Sequence, residues 1–77
     1  LQQVERAERV LRAWSHGQLR VRHHGALARI EAEEPAMAEL LAHRAEITAK
    51  LRALGFTYVT LDLTGYRMGS QNEILEK

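Results

Sequence analysis

Cysteine is absent from this 77-residue chain, proline occurs once, and the aromatic residues amount to one tryptophan, two tyrosines and one phenylalanine. Each scarcity closes off a class of protein. Without cysteine there is neither a disulfide framework nor a thiolate metal site to reinforce a small core. A domain of this length buries only about 60–65% of its unfolded surface, so stability must come from a few well-packed apolar side chains. With only Tyr58 and Tyr66 to offer stacking surface outside a core, a base-stacking RNA sheet is disfavoured. The formal net charge of +1 lacks the basic excess of a nucleic-acid binder. No apolar run approaches the ~18–20 residues of a membrane span, and no basic start leads into an apolar signal core. A cytoplasmic domain with neither membrane nor nucleic-acid partner is expected. Leu1 opens inside a helical pattern instead of at a methionine, which suggests a single domain, residues 1–77, cut from a larger protein.

Around Gly25 two alternating stretches meet. Side chains on a strand point to opposite faces with a period of two, so Leu19 and Val21 face one way and Arg20 and Arg22 the other. Across the turn Ala28, Ile30 and Ala32 share a side, with Arg29 and Glu31 opposite. One face of the hairpin is apolar and the other is charged more densely than solubility requires, which marks a docking surface. His23 and His24 at the strand end face opposite ways and do not share one metal ion.

The flanking segments supply cover for the apolar face. From Leu1 to about Trp14, Val4, Ala7, Val10, Leu11 and Trp14 recur at spacings of three and four, the stripe of an α-helix ended near Gly17, the expected left-handed cap. Glu8 falls at the border of that stripe, where an ordinary solvated helix glutamate is the favoured reading and a carboxylate lying beside the sheet the alternative. Pro35, after Glu33 and Glu34, suits the first turn of a second, long helix whose stripe is Met37, Leu40, Leu41, Ile47, Leu51 and Leu54, capped by Gly55 with Phe56 folded onto Leu51. Tyr58–Leu63 alternates again, with Val59, Leu61 and Leu63 toward the core. Thr64 to Ser70 is a glycine-punctuated turn, and Gln71 to Lys77 a polar tail. A helical crossover returns the third strand parallel to the second. The expected fold is an α+β, two-layer αββαβ sandwich with a sheet of order 2-1-3 and both helices on one face. Strand one is then central, with Arg20 and Arg22 in the middle of an uncovered face. No GxxxxGK[ST] or GxGxxG follows a strand, so the chain by itself holds no phosphate loop and is expected to be inactive alone.

Three blocks in order, Leu19-Arg-Val-Arg-His-His-Gly25, Ala28-Arg-Ile-Glu31, and Leu54 through Asn72 with its Phe-Thr-Tyr-Val-Thr-Leu-Asp-Leu-Thr-Gly-Tyr-Arg-Met-Gly core, resemble the C-terminal domain of the LarE family. These are PP-loop ATP pyrophosphatases, ATP-dependent sacrificial sulfur transferases serving biosynthesis of the nickel-pincer cofactor of lactate racemase. Gln71 stands where the family commonly has Met, and Trp14-Ser15-His16 replaces a glycine-aromatic turn. The resemblance implies a parent that uses ATP and a divalent metal, adenylylates a carboxylate of a pyridinium-dicarboxylate-type substrate, and carries an N-terminal PP-loop domain that this chain lacks. It places Arg20 and Arg22 at the substrate and phosphate site, where a planar fork suits an oxyanion, and Glu8 and Glu31 at acidic positions for the metal. On the residues alone Glu31 is equally a cross-strand ion-pair partner of Arg20, Arg22 or Arg29. Completion of a larger active site and of a homo-oligomer interface is the function implied. A standalone anion- or nucleotide-binding interaction module is the competing reading.

Overall fold

In the computed structural model, which describes residues 2–67, the chain runs α1 (Gln2–Leu11), β1 (Leu19–His24), β2 (Leu27–Ala32), α2 (Glu34–Ala42), α3 (Arg44–Ala53) and β3 (Tyr58–Leu61). The class is α+β, with three helices and one mixed three-stranded sheet. The tail from Gln71 onward lies outside the described residues.

The hairpin forms in the register that alternation requires, from Leu19 opposite Ala32 to His24 opposite Leu27. Gly25 and Ala26 make its two-residue connection. Gly25 has φ 59° and Ala26 does not enter the left-handed region, the pattern of a type II′ turn, whose twist matches that of the strands. Leu19, Val21, Ala28, Ile30 and Ala32 are buried and join Ala7 and Leu11 of α1, Leu40 of α2, Ile47 and Leu51 of α3, and Phe56 in one core cluster. Each large aliphatic side chain in it contributes about 1.5–3 kcal/mol.

Strand order departs from expectation. The sheet is ordered β1-β2-β3, with β2 at the centre, because β3 pairs in parallel with β2 from Leu27 opposite Tyr58 to Ile30 opposite Leu61. The reason lies at the far edge of β1, where the Val21 N–H donates to Glu8 Oε2 of α1 at 2.9 Å. With that edge engaged by α1, the returning strand takes the side of β2 that remains. Val59 and Leu61, on an edge strand, are consequently only half-buried.

The long second helix is two helices. At His43 the backbone leaves helical geometry (φ −105°, ψ 28°), and its N–H bonds to both Glu39 O at 3.3 Å and Leu40 O at 3.1 Å, a locally tightened turn. The imidazole holds the bend, stacking on Trp14 at 5.0 Å with Nδ1 at 2.9 Å from Glu39 O. The bend lets Leu40 and, from the next helix, Ile47 and Leu51 reach one core, while Leu41 is left 61% exposed. The expectation of two helices over the sheet is thus corrected to three.

Glycines separate along similar lines. Gly55 has φ 112°, with Gly55 N–H to Arg52 O at 2.9 Å and Phe56 N–H to Leu51 O at 3.3 Å, the paired bonds of a Schellman cap. Gly17 is not left-handed. Its small size serves another purpose, because a Cβ there would lie 2.8 Å from the Glu33 carboxylate that accepts the Gln18 N–H. Helix α1 stops at Leu11, not at Trp14, and the chain turns there with Ser15 N–H bonded to Leu11 O at 3.0 Å. Likewise β3 stops at Leu61. Asp62 Oδ1 accepts the Thr64 N–H at 2.9 Å, and this turn leaves Leu63 84% exposed instead of in the core. No helix of the described residues is long and apolar enough to cross a membrane.

Candidate anion-binding site

The register sets out the charged face row by row. Arg20 lies opposite Glu31, and Arg22 opposite Arg29, which in turn lies opposite Thr60 of β3. Because β2 is the central strand, Arg29 and Glu31 occupy the middle of the face, and Arg20 and Arg22 its edge. All four residues that parity assigned to this side are brought together.

At the centre stands a buried carboxylate. Glu31 is 0% exposed, with Oε1 3.3 Å from Arg22 Nε, and Oε2 3.0 Å from Arg29 Nε and 2.7 Å from Arg29 Nη2. An unpaired carboxylate in such surroundings would be driven to neutralise itself. Two charge-assisted guanidinium contacts offset that cost. Asp62 approaches the same cluster, its Oδ2 3.8 Å from Arg29 Nε, and Thr60 Oγ1 donates to Ala28 O at 2.8 Å. The middle of the face is therefore closed, not open as alternation alone suggests. Arg22 and Arg29 side chains are only 16% and 20% exposed. Arg20 differs, being exposed, with a side chain that forms no hydrogen bond or ion pair among the described residues. Three guanidinium groups against the carboxylates of Glu31 and Asp62 leave the face with a net positive charge.

Both candidate metal residues have other engagements. Glu8 gives Oε2 to the Val21 N–H, and the two oxygens of Glu31 lie against guanidinium nitrogens. No group of three or more His, Cys, Asp or Glu side chains suited to a metal ion occurs among the described residues. The donor set, as arranged, does not fit a divalent cation. His23 packs against Phe56 at 5.7 Å on the helix-facing side, whereas His24 lies on the charged side.

Sequence reasoning puts Arg29 on this face but gives it no role. The signal for one is its i, i+2 spacing from Glu31, which places both side chains on one side of one strand. A concavity of about 360 Å³ lies away from this face between the end of α1 and the start of α2, with Trp14, Glu33 and Glu39 among its walls.

Comparison with known proteins gives the face a context. The chain matches no family model. It is 43% identical over 97% of its length to the pyridinium-3,5-bisthiocarboxylic acid mononucleotide synthase of Lactiplantibacillus plantarum, of which it spans 27%. It is also 40% identical, over its full length, to an uncharacterized protein of Synechocystis, of which it spans 30%. The chain thus spans less than a third of the length of the curated relatives it matches. With 43% identity over 97% of its length, the chain matches the C-terminal domain of a LarE-family protein.

Proposed function

We propose that the chain serves as the C-terminal domain of a LarE-like, ATP-dependent sulfur transferase of the PP-loop type, where it completes the substrate and phosphate site. The observation that carries this reading is the guanidinium-rich sheet face, in a chain similar to part of a pyridinium-3,5-bisthiocarboxylic acid mononucleotide synthase. Arg20 and Arg22 are the residues assigned to the oxyanion. Arg20 reaches solvent and supplies a planar fork to a phosphate or carboxylate. Arg22, fixed by Glu31, supplies charge in a set orientation, of the kind that stabilises negative charge developing on a reacting phosphate. ATP and the divalent metal would be held by the part of the longer protein outside the match, since Glu8 and Glu31 are otherwise engaged. Self-association is proposed through the edge of β3, which is unpaired among the described residues.

The test is sulfur transfer to a pyridinium-dicarboxylate substrate by the longer protein carrying Arg20→Ala. Loss of a charge-assisted donor at a desolvated reaction site costs about 2–4 kcal/mol, roughly 30- to 1,000-fold in rate. Arg20→Lys should restore only part of the loss. Full activity in Arg20→Ala would remove Arg20 from the site.

A further inference from the structure

We infer that Glu31 is the positioning residue of this anion site, and that Arg29 is its third cation; the inference rests on the oxyanion reading of the face. A carboxylate in the middle of an anion site is at first sight unfavourable, because it repels the ligand. Glu31 is placed where that repulsion is least and its orienting effect greatest. It has no solvent exposure, and its charge is met by guanidinium groups on both sides, Arg22 at Oε1 and Arg29 at Oε2. Long arginine side chains on a sheet have many rotamers, and ordering them upon ligand binding costs affinity. Glu31 orders two of them before any ligand arrives.

The geometry specifies how. Arg29 approaches Oε2 with both Nε at 3.0 Å and Nη2 at 2.7 Å, so one edge of its fork is bound to Glu31 and the plane of the guanidinium is fixed. Arg22 is tied through Nε at 3.3 Å on the other oxygen. Arg29 lies directly opposite Arg22 in the register, and Glu31 directly opposite Arg20, so the three arginines surround one carboxylate on adjoining strands. Asp62 at 3.8 Å restrains Arg29 from the β3 side. The ligand class is a phosphate-type oxyanion, for which forked donors in fixed planes are suited.

A positioning carboxylate and a mere counter-charge predict opposite signs. If Glu31 only neutralised charge, Glu31→Gln would make the face more positive and tighten anion binding. If it orients the arginines, the same substitution releases them and weakens binding. The experiment is titration calorimetry of the 77-residue chain with inorganic pyrophosphate, at fixed low ionic strength, on wild type, Arg20→Ala, Arg29→Gln and Glu31→Gln. Far-UV circular dichroism and thermal unfolding are recorded on each. Glu31→Gln and Arg29→Gln should each weaken binding at least about tenfold, the equivalent of one lost charge-assisted hydrogen bond. Arg29→Gln keeps Glu31 paired with Arg22 and tests the third cation by itself; should Glu31→Gln fail to fold, Glu31→Asp decides the matter, since it keeps the counter-charge but shortens the reach to both guanidinium groups, and should weaken binding if Glu31 orients them. Affinity that holds or tightens in Glu31→Gln, with Arg29→Gln unchanged, overturns the inference while Arg20→Ala still upholds the site. A wild-type chain that does not bind pyrophosphate overturns the oxyanion reading and this inference with it.

Discussion

Arg20 and Arg22 stand two positions apart on one face of β1, yet their removal has different consequences. Arg20 is exposed and its side chain forms no hydrogen bond or ion pair among the described residues, so Arg20→Ala should change stability by no more than ~0.5 kcal/mol. Arg22 bonds a carboxylate that has no solvent contact. Removing it takes away one of the charge-assisted bonds that offset the burial of Glu31, and Arg22→Ala should cost about 1–3 kcal/mol. Urea unfolding midpoints of the two variants, measured in one buffer, check this; equal midpoints would show that Glu31 does not depend on Arg22. Strand alternation alone places both arginines and Glu31 on one side. It does not choose between the directly opposite partner and the diagonal one, because that choice depends on side-chain reach across an assembled sheet. Arg29 is hard to single out for a related reason: its importance comes from the central position of β2, which alternation does not reveal.

Among the elements, the hairpin and the cap at Gly55 are legible because each is written in adjacent residues. Alternation with a glycine between the strands specifies the first, and a leucine stripe ending in Gly55-Phe56 the second. The cap carries a prediction. With φ at 112° and Gln3 Nε2 2.8 Å from where a Cβ would stand, Gly55→Ala should lower stability by about 1 kcal/mol or more. Thermal unfolding reads the effect, and an unchanged midpoint would mean that the backbone there relaxes without strain. The break at His43 has no such local sign. Neither glycine nor proline lies near it, and both flanking segments favour helix; the bend coincides with a tertiary contact, the stacking of His43 on Trp14, 29 positions earlier in the numbering. Strand order is hidden in the same way. It turns on one carboxylate of α1 engaging the Val21 amide, a tertiary contact that neither periodicity nor turn chemistry reveals.

For the whole molecule, the 77 residues supply a charged face and a core but no glycine-rich loop to hold a nucleotide's phosphates. The isolated chain should neither adenylylate a carboxylate nor hydrolyse ATP. Pyrophosphate or phosphate release above that of a heat-denatured control would refute this. Self-association is a separate matter, and the bond between Glu8 and Val21 bears on it. A sheet recruits another chain through unpaired amides at its borders, and unlimited growth needs two receptive borders per molecule. Here one border has its middle amide already occupied by a side chain of the same molecule, while the other, along β3, is unpaired among the described residues. A second copy would meet the β3 border first, since the middle of the β1 border is already engaged. The Glu8 carboxylate thereby makes the β1 border the less receptive of the two, and any strand-to-strand pairing is expected through β3.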